Sequence, residues 1–294
     1  LSALTSWSLA QESFRLSDAE IERLGEEDVR FGDMTTRALG IGGEPGRMSF
    51  TARQDMVLCG ADEAVRLLSR LGADVTFAVK TGDAVVKGVP FLVAEGAAGA
   101  LHAGWKTAQT LMEWASGVAT MTREIVAAAQ GGGKKIPMLC TRKSIPFTRE
   151  LSLKAVLAGG GEIHRLGLSD SVLLFAEHRV FLEQAQDFKA AIARLRACVP
   201  ERAMMVEVTT EAEALAAAEG LADVIQLEKF EPAAVQRVVT QIRKRPDGRP
   251  LIAAAGGINA KNAGDYVRAG ADTIVTSAPF YAKPLDIQVK IDKL

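Results

Sequence analysis

The 294-residue chain has little cysteine, few aromatic residues, almost no net charge and no long uninterrupted apolar run. Each shortage excludes something. Cys59, Cys140 and Cys198 are odd in number and far apart, without the paired spacing of zinc ligands. A disulfide scaffold is therefore not expected, and a reducing compartment suits the thiols. A formal net charge of -1 and an aromatic content of 5% supply neither the basic footprint nor the stacking surfaces of a nucleic-acid binder. No segment approaches the length of a membrane span, and "LSALTSWSLAQESFRLSD" at the start has no basic stretch followed by an apolar one. The expectation is a cytoplasmic protein, with no membrane or nucleic-acid partner, whose cationic residues act locally on small anionic ligands.

What is present has two kinds of pattern. The length suits one large α/β domain or two unequal ones. Ser17 stands three residues before Glu20, a capping-box spacing that predicts a helix start, and the acidic turn "EEDVRFGDMTT" follows. From Arg47 to about Glu95, the short apolar runs "MSFTAR", "VTFAV" and "PFLVAEG" alternate with turn signals, with "ADEAVRLLSRLG" reading as a helix between them. "GWKTAQTLMEWASGVATMTREIVAAAQ" predicts a long helix interrupted at Gly117 and ended by "GGGKK". Beyond residue 136, "PMLCT", "SVLLF", "AMMVEV", "DVIQLE", "PLIAAA" and "DTIVTS" are apolar runs separated by helical patterning. Such alternation implies a parallel sheet with right-handed crossovers, and continuous apolarity implies burial on both faces. Six strands fall short of the eight of a complete barrel. The fold class expected is thus α/β: an open, incomplete parallel α/β barrel over residues 116–284, with an N-terminal α+β sandwich domain over 1–115. The tail "PLDIQVKI" alternates, so residues 285–294 are expected to return to the first domain as a strand.

In parallel α/β barrels, ligands bind where the carboxyl ends of the strands converge. There the sequence places Thr141, Arg142 and Lys143, then Glu207, Glu228, the "AGGIN" loop, and Thr276 with Ser277. Gly256 and Gly257 lie between a strand and the helical stretch "NAKNAGDYVRAG", so backbone N–H groups and a helix N-terminus could cradle a phosphate, with Ser277 adding a hydroxyl. A plain turn is the alternative. Glu207 and Glu228 each close an apolar run, where a carboxylate is costly unless it is paired or binds a metal. Oxygen ligands without histidine or thiolate favour Mg²⁺; a structural pair with Lys229 or a nearby arginine is the alternative. Arg142, Lys143, His164 and Arg165 read singly as solvated or packed residues. Joined through the "AGGGEIHR" turn, they describe a receptor for a polyanion, with a planar fork, a compact charge and a titratable ring.

These motifs resemble the type II phosphoribosyltransferases, the quinolinate phosphoribosyltransferase or nicotinate-nucleotide pyrophosphorylase family. The matching stretches span nearly the whole chain: "EEDVRFGDMTT", "KTGDAVVKG", "GWKTAQTLMEWASGVATMT", "TRKSIP", "AVLAGGGEIHRLGLSD", "MVEV", "VIQLEKF" and "AAGGIN". "TRK" with "GGGEIHRLGLSD" at this spacing is the most specific. The resemblance implies an enzyme dependent on phosphoribosyl pyrophosphate (PRPP), in which Mg²⁺ holds the pyrophosphate and a nitrogen heterocyclic acid attacks the ribose carbon; in the parent family CO₂ loss follows. By that resemblance Arg142, His164 and Arg165 match the acid-binding cations and Lys143 a cation near the pyrophosphate. Glu207 and Glu228 match the metal-side carboxylates, and Gly256 and Gly257 the phosphate loop. It also implies a homodimer or higher homo-oligomer, in which the long helix brings Lys106 to a partner's site.

Departures gather in the acid-binding half. Lys106 stands where the family usually has an arginine, and Phe175 where it has a lysine, followed by "AEH" instead of an acidic residue, Asn and His. Ala255 replaces a serine, Ser277 a glycine and Glu228 an aspartate. This pattern is similar to the ModD branch of the family, pyrophosphorylases encoded with molybdate transport proteins. A receptor that loses one cation and gains an apolar ring is expected to reject a doubly charged acid and admit a less charged or bulkier heterocycle. The other expectations are an ordinary carboxylating quinolinate phosphoribosyltransferase of NAD biosynthesis, and a non-catalytic nucleotide sensor built on the same scaffold.

Overall fold

The computed structural model describes residues 14–246 and 250–294. The leader-free reading of residues 1–13 lies outside the described residues. The described residues fall into two compact units, within Leu1–Arg123, Ser144–Gly160 and Pro279–Leu294, and within Glu124–Lys143 and Gly161–Ala278.

In the first unit, Ser17 caps the helix Asp18–Val29 reciprocally with Glu20, as the spacing predicts. Alternating burial along β1 (Pro45–Ala52) turns Met48, Phe50 and Ala52 into the core. Strands β2 (Met56–Val57), β3 (Asp74–Ala78), β4 (Ala84–Val85) and β5 (Pro90–Ala97) follow, with β2 and β4 forming a ladder of their own. The C-terminal strand Ile287–Lys293 does return, pairing antiparallel with β1, and completes the sheet order C-terminal strand, β1, β5, β3. The helix Ala61–Arg70 buries Ala64, Leu67 and Leu68, and the helix Arg149–Ala158 is buried from Leu151 onward. Inside the unit, the Lys154 ammonium, only 5% exposed, bonds Asp62 at 2.9 Å and the fully buried Glu63 at 2.7 Å. A buried carboxylate is tolerable only with such a partner.

The long helix runs unbroken from Ala98 to Gln130, so the expected interruption at Gly117 is corrected. Gly117 serves a close approach instead: a Cβ there would sit 2.4 Å from the Lys283 carbonyl oxygen. A helix interior tolerates glycine at about 1 kcal/mol.

The second unit holds one parallel sheet. Its strands are β6 (Met138–Cys140), β7 (Glu162–Ile163), β8 (Val172–Leu174), β9 (Met204–Val208), β10 (Val224–Glu228), β11 (Leu251–Ala255) and β12 (Thr273–Thr276). Their order is β7-β6-β12-β11-β10-β9-β8, a curled half-barrel that leaves β7 and β8 as edges. The six expected strands are all present, and β7 is a seventh. It is two residues long, too short for any periodicity, inside the stretch that reads as a turn. The central strands are buried on both faces, with Ala253, Ala255 and Val275 packed against Leu139 and Val224.

Candidate active site

The half-barrel delivers most of the expected residues to one rim of the second unit, because parallel strands end together. Beyond β6, the Thr141 hydroxyl lies 2.6 Å from that of Ser277 and accepts the Lys143 N–H at 3.2 Å. The turn bearing Arg142 and Lys143 is thereby tied to the end of β12. The His164 N–H donates to the Cys140 carbonyl at 3.0 Å, which continues the β6–β7 pairing and sets His164 and Arg165 beside that turn.

Gly256 and Gly257 follow β11 with φ of 86° and 75°, a left-handed pair that glycine adopts without strain. The side-chain amides of Asn259 and Asn262 both donate to the Gly257 carbonyl, at 3.1 and 3.2 Å. The expected helix N-terminus at this loop is corrected: the helix is Ala263–Arg268, six residues long, and the two asparagines fill the gap before it. Any phosphate cradle here rests on loop N–H groups and not on a helix dipole. A Cβ on Gly256 would lie 2.9 Å from Glu228 Oε1, so the loop lies directly against that carboxylate.

Glu207 accepts a hydrogen bond from Gln226 Nε2 at 2.6 Å. Burial, and then the charge of Glu228, hold the Glu207 carboxyl above the usual carboxylate range, while the Gln226 bond and Lys143 oppose this. Neither glutamate forms an ion pair among the described residues, so the alternative of a structural pair with Lys229 or an arginine is not what the fold builds. Gln226 is itself buried, and its Oε1 has no hydrogen-bond partner among the described residues. Two crowded carboxylates beside an unsatisfied carbonyl oxygen fit a hard divalent cation, which takes one or two carboxylates and completes its shell with water or phosphate. Among the described residues no cluster of three or more His, Cys, Asp or Glu could hold a metal alone.

The cationic side has a different character. Burial, followed by the charges of Arg165 and Arg142, pushes His164 down to about 4, so its ring is neutral near pH 7. Arg165 is buried and forms no ion pair among the described residues, and burial followed by Arg142 lowers its pKa. Its guanidinium carbon lies 5.4 Å from the centroid of the Phe175 ring, which stacks on His178 at 5.7 Å. The Phe175 N–H donates to His178 Nδ1 at 3.0 Å, fixing the imidazole proton on Nε2. Lys106 belongs to the other unit. It is exposed on the long helix, 4.2 Å over the Trp105 ring, and donates to Gln109 at 3.2 Å.

Gln226 and His178 were not legible as site residues. The signal for Gln226 is its position two residues before Glu228, which in a strand puts both side chains on one face. His178 enters only through its contact with Phe175.

Residues 33–116 match the quinolinate phosphoribosyl transferase N-terminal domain and residues 118–290 its C-terminal domain. The chain belongs to this family of transferases. Within it, the chain is 51% identical over 257 residues to the ModD pyrophosphorylase of Rhodobacter capsulatus, covering 87% of this chain and 98% of that protein. It is 33% identical over 277 residues to the carboxylating nicotinate-nucleotide pyrophosphorylase of Mycobacterium leprae, covering 90% and 95%. The NadC crystal structure from Streptococcus pyogenes superposes with a TM-score of 0.84 at 26% identity, over 100% of both chains. No helix among the described residues is long and apolar enough to cross a membrane.

Proposed function

We propose that the protein transfers the phosphoribosyl group of PRPP to the ring nitrogen of a heterocyclic acid, releasing pyrophosphate, with an acceptor pocket altered from that of quinolinate enzymes. The observation that carries this reading is the composition of one rim. Glu207, Glu228 and the Gly256–Gly257 loop stand with Arg142, Lys143, His164 and Arg165, while an apolar ring, Phe175, occupies the cationic side.

The chemistry follows from the groups present. Glu207 and Glu228 would hold Mg²⁺, which would supply charge neutralisation to the pyrophosphate. The Gly256–Gly257 loop and the Ser277 hydroxyl receive phosphate oxygens through hydrogen-bond donors, and Lys143 adds a compact charge. Arg142 and Arg165 clamp the acceptor carboxylate, and neutral His164 contributes a hydrogen bond without a third charge. The ring nitrogen's lone pair forms the bond to the ribose carbon as the carbon–oxygen bond to pyrophosphate breaks, and the leaving oxygen takes that bonding pair. No proton moves in this step, so the residues act by positioning and by neutralising charge on the leaving group.

An apolar ring at position 175 on the acceptor side, in place of a further cation, favours a singly charged acid. Pyrophosphate release from PRPP with Mg²⁺, measured across a panel of pyridine acids, tests this. The expected result is turnover with a monoacid and poor turnover with quinolinate. Efficient formation of nicotinate mononucleotide and CO₂ from quinolinate would favour the carboxylating activity named for the M. leprae relative. Tight nucleotide binding without turnover of any acid would favour a sensor. A homodimer, with Lys106 reaching a partner's acceptor site, belongs to the same proposal; a fully active monomer would contradict it.

A further inference from the structure

Strand β8 is an edge of the half-barrel, and a half-open cleft lies beside it. The helix Phe188–Cys198 presents Ala191, Arg194, Leu195 and Cys198, one helical face at i, i+3, i+4 and i+7, to a cavity of about 470 Å³. Leu168 and Leu174 wall it from the other sides. The cleft is half open to solvent, and its volume lies within the range of about 300–1,000 Å³ typical of small-molecule sites.

Two observations tie the cavity to the acceptor side of the rim. Arg165 and His178 both line it. Arg165 also lies against the Phe175 ring at 5.4 Å and within electrostatic reach of Arg142 and Glu207, so a single guanidinium borders both spaces. The Phe175–His178 stack stands beside it as a partly apolar partition. Arg194, exposed and without an ion pair among the described residues, adds a second guanidinium to the lining.

We infer that this cavity continues the acceptor site, and that the acceptor is a two-ring heterocyclic acid whose carboxylate pairs with Arg165 while its second ring lies against Leu168, Leu174 and Leu195. The inference rests on the proposed function and specifies its substrate class. A fused ring next to the carboxylate enters the cavity, and a ring nitrogen on the opposite edge is left toward the rim. A second carboxylate is not required, in keeping with an aromatic ring at position 175.

Isoquinoline-4-carboxylate has this geometry, and nicotinate is the same acid without the second ring. Titration of the full-length protein with each acid is expected to show the two-ring acid binding at least about tenfold tighter, the order set by burying the added ring carbons. Leu195→Trp, which fills the cavity, is expected to abolish that preference while nicotinate affinity stays within about twofold. Ala191→Leu narrows the same space from the half-exposed helix face and covers the case in which the tryptophan variant fails to fold. Equal binding of the two acids to the unmodified protein would overturn the inference, as would a preference that persists in a folded, filled variant. Pyrophosphate release from PRPP is measured alongside. Release with nicotinate but no two-ring preference sinks the cavity assignment alone; a preference abolished by filling, with no release from any acid, supports the cavity and sinks the reaction.

Discussion

Replacing Gly256 by alanine probes the contact between the glycine loop and the metal-side carboxylates, with Gly257→Ala as its control. Both glycines have left-handed φ, so either alanine costs about 1–2 kcal/mol of backbone strain. They differ in what the new methyl meets. At Gly256 it would lie 2.6 Å from Lys229 Cγ, 2.8 Å from the Lys229 backbone nitrogen and 2.9 Å from Glu228 Oε1. The lysine side chain can swing aside. The backbone nitrogen cannot, because it donates to the Ala255 carbonyl at 2.8 Å. Overpacking of this kind costs a further ~1–3 kcal/mol, for a total of about 2–5 kcal/mol. Among the described residues nothing lies within 4 Å of a Cβ at Gly257, so strain alone is expected. Urea unfolding followed by fluorescence gives the stabilities, and calorimetric titration with PRPP and Mg²⁺ gives the affinities. Gly256→Ala should be the less stable variant and should lose metal dependence as Glu228 is displaced. Gly257→Ala should keep metal dependence and lose phosphate affinity. The reasoning is refuted if both variants unfold within about 0.5 kcal/mol of the unmodified protein and bind PRPP normally.

Other predictions concern single groups. Glu207→Gln and Glu228→Gln should each weaken Mg²⁺-dependent PRPP binding by about tenfold or more while leaving metal-free binding nearly unchanged, as titration with and without Mg²⁺ would reveal. His164, held neutral in the fold, has a folded pKa of about 4 against an ordinary 6.5. The unfolded chain therefore binds the extra proton first as the pH falls, and stability is lost between about pH 6.5 and 4, by up to about 3 kcal/mol at ~1.4 kcal/mol per unit. His164→Gln should flatten that part of the stability–pH profile, and an unaltered profile would contradict the burial argument. Lys154→Met should destabilise the first unit by about 3–5 kcal/mol because Glu63 stays buried without its partner, and adding Glu63→Gln should recover part of the loss in thermal unfolding.

The parts of the fold legible in the sequence are those written as repeated pattern. Six apolar runs give six strands because a strand buried on both faces must be apolar throughout, and Ser17 with Glu20 gives a helix start because the cap is local. Strand Glu162–Ile163 is invisible because two residues carry no period and its pairing with β6 is fixed by the chain around it. Gly117 reads as a break because glycine's weak helix propensity is local, whereas its use, the approach of the Lys283 carbonyl, is a tertiary fact. At the candidate site the charged residues were legible through their position at strand ends. Gln226 was not, because its carboxamide matters only once Glu207 lies beside it. The neutrality of His164 was not either, since it follows from burial and from two arginines brought near by the fold.

The central claim is that one rim of the half-barrel receives PRPP between the two glutamates and the glycine loop. A crystal structure of the enzyme soaked with Mg²⁺ and PRPP tests it most directly. The account predicts metal density bridging Glu207, Glu228 and the pyrophosphate, with phosphate oxygens at Gly256 and Gly257. Pyrophosphate bound away from that loop, or a metal held by other residues, would contradict it.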